Sequence, residues 1–232
     1  GEIALRGLKV VSIAQEYLDG VSLAEVLQKQ QRLDLDQALW VIWEVSRALR
    51  EAHGLGVIHR DLKPSNIMLL NTKEGESLKV LDFGIVKLLT EDAEGLTMNN
   101  RIVGSPRYMA PEQVLTNSAD TRTDIYSLGV LLYQLVSGKL PFNTGSTTQI
   151  MMAHIRDPVP SIKVHSGVSV PSDVEAFINR CLDKDPDKRF QDIDALCQGM
   201  RELSWGSGMG SSETSSFLSL IHISEPTRQP CI

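Results

Sequence analysis

The chain has 232 residues, 42% of them hydrophobic and 22% charged, with a net charge of −6. That is enough apolar material for one sizeable core, or one domain with a tail. The charges are spread along the chain, which argues against a dedicated nucleic-acid binder and against a basic membrane-surface helix.

No apolar run approaches the roughly 18 residues of a membrane span. The opening GEIALRGLKV lacks the basic, apolar and small-residue layout of a signal peptide. Its first residue is Gly rather than Met, so a start inside a longer protein is expected. Three cysteines, Cys181, Cys197 and Cys231, fit no zinc spacing, and so sparse and odd a set suits a reducing compartment. Cys181 and Cys197 read as inert helix-face residues.

In chain order, residues 8–18 read as a strand leaving into an extended connector. Ser22 and Glu25 form an S-x-x-E capping box that opens a short helix over about 23–30. Leu35, Ala38, Leu39, Ile42, Val45, Leu49 and Ala52 recur at helical spacing, with Gly54 where a C-terminal cap belongs. Val57-Ile58, Ile67 to Leu70 and Leu78 to Leu81 read as small strands between polar loops. Residues 85–111 are long and mostly irregular, and a loop of that length in a compact domain is usually functional or disordered. Residues 125–137, IYSLGVLLYQLVS, are apolar nearly all round, so their helix is expected to be buried on every side and to end at Gly138. Ser172 and Glu175 repeat the capping box ahead of Val174, Phe177, Ile178, Cys181 and Leu182. A last helix is expected over about 193–203.

The chemistry-bearing residues lie in the middle. His59-Arg60-Asp61-Leu62-Lys63-Pro64-Ser65-Asn66 is followed sixteen residues after Asn66 by Asp82-Phe83-Gly84. Glu112 of Ala110-Pro111-Glu112 comes thirty residues after Asp82. A carboxylate at 61 with an ammonium two residues on can take a proton and balance phosphate charge. Asn66 and Asp82 offer the oxygen ligands that magnesium prefers, and Gly84 allows a sharp turn after the second of them.

These three segments, in this order, are the HRDxxxxN, DFG and APE signatures, and on them the chain resembles a protein kinase. DLKPSN and GSPRYMAPE resemble the serine/threonine branch, and MAPEQ its bacterial, eukaryotic-like group. The resemblance implies an α+β, protein-kinase-like fold, mostly the helical C-terminal lobe with the hinge and the last strands of the N-terminal lobe. It further implies transfer of the ATP γ-phosphate to Ser/Thr hydroxyls of proteins, with ATP and Mg2+ (or Mn2+) as cofactors. Asp61 and Lys63 would be catalytic, and Asn66 and Asp82 the metal ligands. Gln15 would be the gatekeeper, the Glu16 carbonyl and Leu18 amide would bond adenine, and Met68 would pack beneath it. Ser105 would contact Asp61 and Lys63, a phosphate on Thr97 would be gripped by Arg60, and Thr90 and Ser105 are other acceptors. His59, Phe83, Gly84, Asp124 and the Glu112–Arg189 pair would support the site. ATP and Ser/Thr-bearing proteins are the expected partners, with no nucleic acid and no membrane segment between 1 and 232. The kinase domain is expected in the cytoplasm, with a membrane anchor elsewhere in the protein compatible with the group.

The expected organisation is a partial kinase domain over 1–204, made of an N-lobe remnant (1–15), hinge (16–21) and C-lobe (22–204). A Gly/Ser-rich linker (205–217) and a tail (218–232) follow. The tail's LSLIHISEPTR resembles translated sequencing adapter and is expected to be non-native. Nothing in GEIALRGLKVVSIA reads GxGxxG, and Lys9 lies too near the hinge to be the family's strand lysine. Residues 1–232 alone are therefore expected to be inactive. A pseudokinase scaffold is the rival reading, against which intact Asp61, Lys63, Asn66 and Asp82 speak. A small-molecule phosphotransferase fits less well, because GSPRYMAPE resembles a peptide-docking segment.

Overall fold

The computed structural model describes residues 2–5, 8–11, 16–72, 75–83, 105–116 and 119–203. Gln15, Gly84, Thr90, Thr97, the linker and the tail lie outside the described residues.

The chain opens with β1 (Glu2–Leu5) and β2 (Leu8–Val11), an antiparallel pair with Leu5 opposite Leu8. The sequence reading anticipated the second strand but not its partner. A separate antiparallel sheet has the order β3 (Gly20–Ser22), β4 (Ile67–Thr72), β5 (Gly75–Val80). Met68 lies opposite both Ser22 and Lys79. The two strands expected at 67–70 and 78–81 are thus the central and edge strands of one sheet.

Helix α1 (Leu23–Gln30) starts on the anticipated box. Ser22 Oγ accepts the Glu25 N–H (3.2 Å), while the Glu25 carboxylate accepts the Ser22 N–H (2.7 Å). These bonds satisfy two of the donors that a helix start leaves open. Helix α2 (Leu35–Gly54) buries Leu39, Ile42, Val45 and Leu49, the face its periodicity predicts.

Its C-terminus corrects the sequence reading. Gly54 is the last helical residue, and the left-handed position is Gly56, at φ +73°, whose N–H reaches the His53 carbonyl at 2.9 Å. Val57-Ile58 is not a strand either, because the Val57 N–H donates to the Ala52 carbonyl (2.9 Å) of the helix end. In a Gly-Leu-Gly run the left-handed turn falls on the glycine that closes these bonds.

Six further helices complete the described lobe. They are α3 (Pro111–Thr116), α4 (Thr121–Ser137), α5 (Thr147–Arg156), α6 (Ile162–Ser166), α7 (Ser172–Cys181) and α8 (Ile193–Arg201). Helix α4 is the axis of the core and packs on α2, α7 and α8. Ile125, Tyr126, Val130, Leu131 and Tyr133 have no exposed surface, as a helix apolar all round requires. It ends where expected, at Gly138 (φ +73°), whose N–H closes on the Gln134 carbonyl at 2.8 Å.

Helix α7 buries the expected residues but does not use the expected capping box. Ser172 is already helical, and the Glu175 carboxylate accepts the N–H of Ile162, the first residue of α6, at 2.9 Å. A tertiary partner has taken the carboxylate that local spacing assigned to the cap. Cys181 and Cys197 are buried, and burial pushes the Cys181 thiol up to about 12, which keeps it inert.

Candidate active site

The loop from Val57 to Asn66, between α2 and β4, carries most of the candidate site, and Asp124 at the start of α4 holds it. The fully buried Asp124 carboxylate accepts the His59 N–H through Oδ2 (2.9 Å) and the Arg60 N–H through Oδ1 (2.9 Å). His53 Nε2, from the last turn of α2, lies 2.8 Å from the same Oδ2. Arg60 has φ +68°, a conformation that disfavours a side chain by about 1–2 kcal/mol. Both its backbone groups are held, because the Arg60 carbonyl accepts Gln113 Nε2 at 2.9 Å. The turn is thus over-determined, and it throws the next residue, Asp61, out of the core.

His59 joins this loop to the segment containing Asp82. Its Nε2 bonds the Leu81 carbonyl (2.8 Å), so that nitrogen carries the hydrogen, and Nδ1 is left to accept the Asp61 N–H (3.3 Å). Phe83 packs edge-on to the His59 ring with centroids 4.9 Å apart. The Leu81 N–H donates to the Asn66 carbonyl at 2.8 Å. Asp82, also left-handed at φ +61°, therefore emerges one residue from a bond to Asn66.

Around Asp61 the side chains converge. Oδ2 accepts Lys63 Nζ at 2.5 Å and Oδ1 accepts the Ser105 N–H at 2.8 Å. Lys63 Nζ also donates to Ser105 Oγ (3.0 Å), and Asn66 Nδ2 donates to the Asp61 carbonyl (2.9 Å). Asp61 is 15% exposed and Lys63 27%, open enough to meet a ligand and covered enough for charge to act strongly. A carboxylate oxygen has two lone pairs, so Asp61 can still accept a hydroxyl proton.

Asn66 commits its amide nitrogen to the loop, and its Oδ1 has Ser65 Oγ at 3.4 Å as a weak donor. The described residues hold no group of three or more His, Cys, Asp or Glu able to cage a metal. Two oxygen-bearing side chains on adjacent segments are the donor set that suits magnesium shared with phosphates rather than an all-protein cage.

The segment from Ser105 to Gln113 is bolted down over its whole length. Ser127 Oγ donates to the Tyr108 carbonyl (2.8 Å), Tyr108 Oη to Gln134 Oε1 (2.6 Å), and the Ala110 N–H to Gln113 Oε1 (2.9 Å). Fully buried His154 of α5 lies between Tyr126 Oη (2.9 Å from Nδ1) and the Arg107 carbonyl (3.1 Å from Nε2). Its burial, with the Lys184 cation nearby, pulls the imidazole down to about 4.

Arg189, with no exposed side-chain surface, makes a two-pronged pair with Glu112 at 2.8 and 2.9 Å. It also donates to the Asp183 and Arg122 carbonyls and lies 4.8 Å over the Tyr126 ring.

At the other end, Glu16 is largely exposed and pairs with Lys79 of β5 at 2.7 Å. Leu18 and Met68 are half-buried. The structure thus gathers His59, Arg60, Asp61, Lys63, Asn66, Asp82, Phe83, Ser105 and Asp124 on three linked segments and their anchor. Glu16, Leu18 and Met68 lie at the β3–β5 sheet, and Glu112 and Arg189 below. Sequence reading missed His53, Gln113, Tyr126 and His154, whose partners lie between 28 and 71 residues away and leave no local pattern.

An α+β fold with this catalytic-type loop, its aspartate-anchored turn and the Glu–Arg pair defines the protein kinase class. The protein kinase domain family matches residues 5–200, and the chain belongs to it. Among curated relatives it is 36% identical over 180 residues to the serine/threonine-protein kinase PknB of Mycobacterium tuberculosis, covering 77% of this chain and 28% of that one. It is 39% identical over 188 residues to the serine/threonine-protein kinase pkn3 of Myxococcus xanthus (79% and 34%). It is also 38% identical over 201 residues to the serine/threonine-protein kinase PksC of Streptomyces coelicolor (84% and 35%). The chain therefore spans about a third or less of these relatives' length. No helix among the described residues is long and apolar enough to cross a membrane.

Proposed function

We propose that this chain is the substrate-binding lobe of a serine/threonine protein kinase that transfers the γ-phosphate of ATP to protein hydroxyls. The observation that carries the reading is the carboxylate of Asp61, held between Lys63 Nζ and the Ser105 N–H beside buried Asn66. Asp61 orients the acceptor hydroxyl and takes its proton as the oxygen bonds to phosphorus and the bond to ADP breaks. Lys63 offsets charge on the transferring group, a role worth most in a partly covered site.

Asn66 Oδ1 and the Asp82 carboxylate would hold magnesium (or manganese), which when bound neutralises phosphate charge. The Glu16 carbonyl, the Leu18 amide and Met68 would receive adenine. Arg60, with both backbone groups anchored, would grip a phosphate on Thr97. The kinase reading favours the cytoplasm for the domain, where ATP is available, and is compatible with a membrane anchor elsewhere in the protein.

The test is phosphate transfer to a protein substrate by the kinase carrying its glycine-rich loop and strand lysine. Asp61→Asn is expected to slow transfer by about 10²–10⁴-fold, the usual contribution of a positioned base. A variant with the wild-type rate would falsify the assignment.

A further inference from the structure

Below Asp61 lies an open groove of about 880 Å³, bounded by α1, the 63–65 and 105–108 segments, the end of α4 and the start of α5. That volume is in the range of sites that take a drug-sized ligand, hence a few peptide residues. Its charge runs against that of the molecule. The chain carries a net −6, yet among the described residues the sixteen that line the groove include no carboxylate, and the charged ones are Lys63 and Arg107. The rest of the polar lining is neutral, chiefly Gln28 and Gln31 of α1, Gln134 of α4 and Ser105.

Lys63 is committed to Asp61 and Ser105. Arg107 is exposed, and among the described residues its guanidinium has no ion-pair partner. Its backbone, by contrast, is fixed through the carbonyl to buried His154. The cation therefore sits on a rigid base two residues from Ser105, whose N–H is bonded to Asp61. At about 3.3 Å per extended residue, that places it opposite peptide positions a few residues from the acceptor.

We propose that this groove selects peptides with acidic side chains near the acceptor hydroxyl, and that Arg107 determines this specificity. The proposal rests on the kinase reading above and narrows its substrate class. Among the described residues the lining holds one cation without an ion-pair partner and no anion, a set that attracts carboxylates and leaves a basic peptide facing a like charge. The chain itself contains a segment of this chemistry: Glu91, Asp92 and Glu94 precede Thr97 in TEDAEGLTMNNR, residues 90–101.

Binding is the test, because it requires no catalysis. Fluorescein-labelled TEDAEGLTMNNR is titrated into the 232-residue chain by anisotropy. A neutral counterpart (Gln, Asn and Gln at the three acidic positions) and a basic one (Lys at all three) are titrated alongside. The acidic peptide is expected to bind at least about fivefold more tightly than the neutral one, and the basic one most weakly. The gap should narrow at 0.5 M salt as screening shortens the reach of charge.

Arg107→Glu should reverse the order and Arg107→Lys should keep it. Both are exposed substitutions whose melting temperatures report that the fold is intact. Affinities within twofold of one another, tightest binding by the basic peptide, or no saturable binding would each overturn the proposal. Failed transfer by the intact kinase would sink the underlying reading instead, a result this titration does not measure.

Discussion

His154 shows how a single buried residue couples pH to stability. Its imidazole, ordinarily near 6.5, is lowered to about 4 by burial and by Lys184, whose ammonium lies 4.4 Å over the Phe142 ring beside it. Between those two values the unfolded chain binds the proton and the native one does not. The stabilisation is therefore complete above about 6.5 and lost as pH falls toward 4, a difference on the order of 3 kcal/mol. Denaturant titrations of wild type and His154→Gln at pH 7 and pH 4 should show the gap between them shrinking by that order. A gap that does not move with pH would contradict the placement.

Thr97 is the residue-scale expectation on the regulatory side. If Arg60 grips its phosphate, Thr97→Ala should lower the rate of the complete kinase by tenfold or more, and an unchanged rate would dispose of the idea. His59, Asp61, Lys63 and Asn66 were legible in the sequence because their spacing is local. His154 was not, since a lone histidine on an amphipathic segment carries no sign of the tyrosine and carbonyl it will meet.

Between elements, the pair of Glu112 and Arg189 joins α3 to the turn before α8 across the underside of the site. Glu112 also accepts Thr123 Oγ1 at 3.0 Å, so α3, α4 and the 183–189 turn share one polar knot. Arg189 is fully covered, and truncating it would strand a carboxylate and three carbonyls, those of Arg122, Asp183 and Lys184. Arg189→Leu is expected to cost about 3–5 kcal/mol in chemical denaturation. A loss under 1 kcal/mol would show the pair to be dispensable. Element boundaries were legible where hydrogen bonds close locally, as at Ser22 with Glu25 and at Gly138. They were misread where a distant partner competed: Glu175 went to Ile162, and Val57 to Ala52. Helices α3 and α6 span only six and five residues, too few for an apolar face to announce itself.

At the scale of the molecule, residues 1–15 contain no glycine-rich phosphate loop, and the pairing of a strand lysine with a helix glutamate is a condition of kinase activity. The 232-residue chain by itself is therefore expected to give no metal-dependent phosphate transfer above background in a radiolabel assay, and robust transfer would refute that expectation.

By itself the sequence determined the class of the protein, the order of the catalytic-type residues along the chain and the burial of α4, because spacing and periodicity are properties of neighbouring residues. Tertiary structure alone decided that Asp124 clamps the turn before Asp61, that His154 anchors the 105–110 segment, and that the described residues lining the groove beneath include Lys63 and Arg107 but no carboxylate. Those outcomes depend on which side chains meet across dozens of residues, and only packing brings such partners to hydrogen-bonding distance.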